Sequence, residues 1–122
     1  MSGWIGVDLD TLAHYDEWVS EQHIGAPVPE MLFRVRRWLD EGKRVKVFTA
    51  RVCPIMADGS LRNPAIAREA IHQWCREHLG KVLEVTHEKD SLMIELWDDR
   101  CVQVEANYVF TLTGRRIDGG DC

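Results

Sequence analysis

The chain is 122 residues long with a formal net charge of −5, enough for one domain with a single core and too short for a second. That acidic balance argues against a general binder of nucleic acid or membrane surfaces, while leaving room for a local basic patch. No apolar run is long enough to span a bilayer, and the opening Met-Ser-Gly-Trp-Ile lacks a basic segment ahead of an apolar one, so a cytoplasmic protein with no signal peptide is expected.

Residues 4–7, Trp-Ile-Gly-Val, form a short apolar run that reads as a first strand ending at Asp8. Residues 13–28 are mostly polar and read as an irregular loop with one helical turn over 16–20. A helix is predicted over 29–41, because Met31, Leu32, Val35, Trp38 and Leu39 recur on one face, Pro29 suits the first turn and Gly42 the stop. Residues 44–48 read as the second strand, and 52–62, with Pro54 and Asp58-Gly59, as a loop. The next helix is capped by Asn63, started by Pro64 and closed by Gly80, with Ile66, Ala67, Ala70, Ile71, Trp74 and Leu79 as its apolar face.

Three further strands are predicted over 81–85, 94–97 and 102–105. Strands alternating with helices imply an α/β fold, a mostly parallel five-stranded sheet flanked by helices. The link between the third and fourth strands is short for a crossover helix, so a turn or two of helix over 90–93 is expected there. A core over 1–107 and a polar tail over 108–122 complete the expected organisation.

The four cysteines, Cys53, Cys75, Cys101 and Cys122, form no closely spaced pair, which disfavours structural zinc. Cys75 and Cys101 read as core thiols and all four suit a reducing compartment. The histidines show no ligand spacing either. The basic run Arg34, Arg36, Arg37, Lys43, Arg44 and Lys46 reads as a solvated helix face and strand start.

Four polar segments carry the chemistry: DLDT at 8–11, FTAR at 48–51, EKD around Lys89, and WDDR at 97–100. Three of them follow predicted strands, so Asp8, Asp10, Thr49, Asp98 and Asp99 should gather at one sheet edge, where open α/β sheets bind ligands. A phosphate monoester repels an anionic nucleophile, and a carboxylate cluster suits Mg2+, a hard cation that offsets this repulsion. Arg51 either reaches a substrate phosphate or pairs with an acid nearby.

The strings WIGVDLDTLAHYD, VFTAR, HEKD and LWDDRCVQVEAN, in that order from residue 4 to about 107, resemble a small cap-less member of the haloacid dehalogenase (HAD) superfamily of aspartate-nucleophile phosphohydrolases. The resemblance implies a single-domain HAD-like Rossmannoid fold with no cap domain and a magnesium-dependent phosphatase. Asp8 would be the nucleophile, forming an aspartyl-phosphate. Asp10 would be the acid and base, its backbone carbonyl also binding the metal. Thr49 would hold a phosphoryl oxygen, helped by the following backbone amide of Ala50. Lys89 would neutralise the nucleophile and the transferred oxygens, and Asp98 and Asp99 would complete the Mg2+ site.

An uncapped site should be open enough for a phosphate on a bulky molecule, a nucleotide or a phosphorylated nucleic-acid end included; the substrate and the oligomeric state stay open. One departure from the family's pattern stands out: Thr11 follows Asp10 directly, where the family commonly has Gly between them. The loop is then one residue short and Thr11 is expected in a backbone position that Gly adopts easily. The alternatives are therefore a catalytically impaired relative that binds metal or phosphate, and a receiver-like phospho-Asp signalling domain. The receiver reading is disfavoured because its acidic pair follows the first strand, whereas Asp98-Asp99 comes last.

Overall fold

The computed structural model of the protein describes residues 3–104; the expected tail over 108–122 and the end of the expected core at 107 lie outside the described residues. Strand β1 (Trp4–Asp8) is buried on both faces, which explains its continuous Trp-Ile-Gly-Val run. A four-residue helical turn, α1 (Leu9–Leu12), follows it directly. Helix α2 (Pro29–Asp40), strand β2 (Arg44–Phe48), helix α3 (Pro64–Leu79), strand β3 (Glu84–Thr86) and strand β4 (Met93–Trp97) complete the elements, with a short 3-10 turn at Ala50–Val52. All four strands are parallel, in the order β3-β2-β1-β4.

The two helices form as their sequences imply. Asn63 accepts a hydrogen bond from the Ala65 amide at 3.0 Å, and Gly80 closes α3 in the left-handed region at φ 69°. Val35 and Trp38 of α2 and Ala67, Ile71, Trp74 and Cys75 of α3 meet Ile5, Val7, Val45 and Val47 in one cluster. Chain order β1-α2-β2-α3-β3, stepping steadily across the sheet, places both helices on that same face when crossovers are right-handed. Ile66, expected on the apolar face of α3, is exposed instead, and Cys75 takes a buried place beside Ile71.

The opposite face is closed differently. β3 ends at Thr86 beside Phe48, whereas β4 begins at Met93 beside Trp4, at the other end of the sheet. Residues 87–92 must therefore run back across the second face, and six extended residues reach about 20 Å, enough for the crossing with none to spare for a helix. Asp90 fastens this strap: its Oδ1 accepts from the Trp4 indole at 2.8 Å and from the Leu92 amide at 2.8 Å. The helix expected over 90–93 is accordingly a turn, with Met93 already in β4. Lys46 Nζ sits 4.4 Å from the Trp4 ring centre and within 3.9 Å of Asp90 and 3.7 Å of Glu84.

Other departures have local causes. β3 starts at Glu84 rather than at 81, since the chain first turns out of the left-handed cap and drives Leu83 into the core. Residues 101–103 are irregular and add no strand to the sheet among the described residues, while Glu105 lies outside them. Cys101, expected in the core, is therefore exposed. The helical turn expected over 16–20 is replaced by a bend. That loop is pinched at its base by an Ala13–Pro27 bridge and by His14 donating to the Ala26 carbonyl at 2.8 Å. No helix among the described residues is long and apolar enough to cross a membrane.

Candidate active site

Strands 1 to 3 step in one direction across the sheet and β4 lies on the other side of β1, so the switch point falls between β1 and β4. Asp8 ends β1, and Asp98 and Asp99 follow β4, at the carboxyl ends of these two neighbours. One carboxylate oxygen from each of the three lies within 4.8 Å of the others. A hard cation with ~2.1 Å bonds needs oxygens about 2.9 Å apart at adjacent octahedral positions and about 4.2 Å apart at opposite ones. An upper bound of 4.8 Å is close to that spacing and all the donors are oxygen, a donor set that suits a hard divalent cation such as Mg2+.

The electrostatics agree with crowding of like charge. The Asp8 carboxyl is pushed up to about 7, first by burial and then by Asp98, Asp10 and Asp99, with a backbone hydrogen bond from Asp10 opposing them. Asp10 is also raised, again mainly by burial, but Arg51 and Arg100 pull it back. A divalent cation among these groups would reverse the sign of the local field and favour the ionised forms.

The short first motif closes without left-handed backbone at Thr11, which lies inside the helical turn α1. Its hydroxyl accepts a hydrogen bond from the Asp99 amide at 3.2 Å, so Thr11 ties the β1 loop to the β4 loop. Asp10 stays in the cleft with Asp8, Thr49 and Asp98. Its carboxylate stands apart from the three-acid cluster and faces Arg51, 3.6 Å from Nη2.

Thr49 follows β2 and caps the 3-10 turn, its Oγ1 accepting from the Arg51 amide at 3.2 Å. Ala50 lines the cleft beside it. Arg51 is 8 % exposed. It donates to the His23 carbonyl at 2.6 Å and to the Glu21 carbonyl at 3.4 Å, and its guanidinium lies 5.1 Å from the Trp18 ring centre. Of its two expected roles the structure displays the acid pairing, for Arg51 fastens the loop over 13–28 and braces Asp10.

Lys89 is the expected site residue that the structure does not bring in. It sits on the exposed strap between β3 and β4 and is absent from the residues lining the Asp8 cleft. Its charge reaches the Cys101 thiol, which Asp98 and Asp8 also reach.

The cleft also holds Tyr15, Arg62 and Arg100, to which the motifs assigned no role, and Trp18 of the 13–28 loop. Arg100 directly follows Asp99, and its position after a strand end was the available signal. Arg62 has no local signal, because it arrives only when the 53–62 loop folds back through an Ile55–Leu61 bridge. There it donates to the Cys53 carbonyl at 2.9 Å and to the Ala50 carbonyl.

No family model matches the sequence, and no curated protein does. Among solved structures the chain is similar to that of a conserved protein from Bacteroides thetaiotaomicron, at 20% identity and a TM-score of 0.53, covering 84% of this chain and 79% of that one. At that identity the likeness concerns the fold alone: an α/β architecture of four parallel strands flanked by helices, compatible with a Rossmann-like fold.

Proposed function

We propose that the protein is a magnesium-dependent phosphomonoester hydrolase of the cap-less haloacid dehalogenase type, acting through an aspartyl-phosphate on Asp8. The observation that carries this reading is the meeting of Asp8, Asp98 and Asp99 at the switch point of a parallel sheet. Those three residues would hold Mg2+, which when bound supplies charge neutralisation for an approaching phosphate.

The ionised Asp8 carboxylate attacks phosphorus, and the bond to the alcohol oxygen breaks. Asp10 gives that oxygen a proton, for which its raised affinity for protons is suited. Asp10, now ionised, takes a proton from water as the water attacks the phosphoryl group, releasing inorganic phosphate and the free Asp8 carboxylate. Thr49 donates its hydroxyl to a phosphoryl oxygen, and Arg51 keeps Asp10 in line from the side. The free thiols of Cys53, Cys75 and Cys101 suit a reducing, cytoplasmic setting.

A second reading, a relative that binds metal or phosphate without turnover, is favoured by one observation: Lys89, the cation expected beside Asp8, is not among the residues that line the cleft. Hydrolysis of para-nitrophenyl phosphate with and without magnesium, beside Asp8→Asn, separates the two. The phosphatase requires metal-dependent turnover that the variant loses. Magnesium binding by calorimetry with no turnover in the parent chain would establish the second reading instead.

A further inference from the structure

The acid cluster accounts for the floor of the cleft and leaves its mouth unexplained. Tyr15 and Trp18, both from the 13–28 loop, are 40% and 49% exposed although they line a concave site. Half-exposed aromatics in a cleft mark a surface with an occupant more often than singly scattered ones do. Trp18 is also held in place: the Arg51 guanidinium lies beneath its ring, and Arg51 is itself pinned by the Glu21 and His23 carbonyls. A cation against one side of an indole orients the ring at little further entropic cost.

The loop that carries the two aromatics is closed tightly enough to act as a fixed wall. A Cβ at Gly25 would lie 2.2 Å from the His14 carbonyl oxygen, and the Trp74 indole donates to the Gly25 carbonyl at 2.9 Å. The cleft encloses about 290 Å3, the low end of the ~300 to ~1,000 Å3 typical of small-molecule sites. Arg100, whose charge reaches Asp10, adds a cation at the same mouth.

Resting on the phosphatase reading for its phosphate end, we propose that the cleft selects phosphate monoesters whose alcohol carries a planar aromatic ring, a nucleoside monophosphate being the representative, with the ring stacked on Trp18 beside Tyr15. Size favours a free nucleotide over a polymer end. Stacking of a base on an aromatic side chain contributes a preference on the order of tenfold.

The test is calorimetric binding to Asp8→Asn protein in magnesium, with adenosine 5′-monophosphate against ribose 5-phosphate. These share phosphate and sugar and differ in the ring. The expected result is about tenfold tighter binding of the nucleotide, a ratio that falls to about twofold or less in Trp18→Ala and is largely kept in Trp18→Phe. A ratio near one, no binding of either ligand, or a preference unchanged by Trp18→Ala would overturn the proposal. Tighter binding of a 5′-phosphorylated oligonucleotide than of the mononucleotide would overturn the choice of a free nucleotide. Turnover is not read in these arms, so ring preference without hydrolysis by the parent chain would refute the hydrolase and leave the ring selection standing. Hydrolysis without ring preference would do the reverse.

Discussion

The two faces of the sheet are held by different physics. On the helix-covered face, Ile5, Val7, Val45 and Val47 meet apolar residues of α2 and α3, and the attraction is non-directional and proportional to area. On the other face, Trp4 is fully buried yet stands outside that cluster, beneath a strap held by an indole-to-carboxylate bond, a cation over a ring and two acids around Lys46. The first arrangement supplies stability. The second leads into β4, which pairs with β1 and is followed by Asp98 and Asp99, so the polar face is expected to help set the register of the acid cluster.

The largest effect should come from breaking the first face. Ile71 is fully buried, and Ile71→Ala should cost about 2 to 5 kcal/mol in urea unfolding, with little dependence on salt. Magnesium affinity of the fraction that remains folded should barely change, because α3 contributes nothing to the acid cluster.

Gly6→Ala attacks the second face and is next in size. The added Cβ would lie 2.9 Å from Met93 Cε, 3.1 Å from Trp4 Cζ3 and 3.2 Å from Leu96 Cδ1. All three are side-chain atoms, so overpacking of about 1 to 3 kcal/mol is expected rather than a failure to fold. Because two of them belong to β4, magnesium affinity should fall even though the variant is more stable than Ile71→Ala. Equal magnesium affinity in the two variants would sink the division of labour between the faces.

This contrast also decides what was legible in the sequence. Apolar periodicity located α2 and α3 to within a residue, and Asn63, Pro64 and Gly80 marked both ends of α3. Three strand ends carrying acids and Thr49 foretold the cluster, because strand ends at one edge follow from parallel topology alone. The strap was illegible, since an extended crossing fastened by Asp90 has no period and looks like a short polar link. Lys89 lies on that strap, outside the lining of the Asp8 cleft, a placement that motif order could not supply. Arg51 could be read two ways because a guanidinium binds phosphate and carboxylate with the same donors, and its hold on the Glu21 and His23 carbonyls needs the folded loop over 13–28.

A smaller effect concerns the cost of the site itself. Asp8 has a folded-state affinity for protons raised from 3.8 to about 7, so the metal-free folded chain binds more protons than the unfolded chain between those values. Stability must then fall as pH rises from about 4 to about 7 and flatten above. Asp8→Asn should flatten that slope. In the parent chain at pH 7.5, magnesium at ten times its Kd should restore about 1.4 kcal/mol. Thermal unfolding across that pH range, with and without the metal, checks both, and a stability that rises with pH in the metal-free parent would contradict the burial and charge crowding assigned to Asp8.

The smallest stability change and the sharpest test of the comparison come from Asp90→Ala. Asp90 is exposed, and water can replace its bond to the Trp4 indole, while Lys46 keeps Glu84 at 3.7 Å. The loss in unfolding free energy should therefore be below that of Gly6→Ala. The part due to Lys46 should fade in 1 M salt, where charges are screened beyond about 3 Å. Magnesium affinity should nevertheless drop, because the strap no longer fixes the residues that lead into Met93 and β4. A variant that lost stability without losing magnesium affinity would mean that β1 and β4 hold their register through the ladder alone, and that the polar face contributes to the fold in the same undifferentiated way as the apolar one.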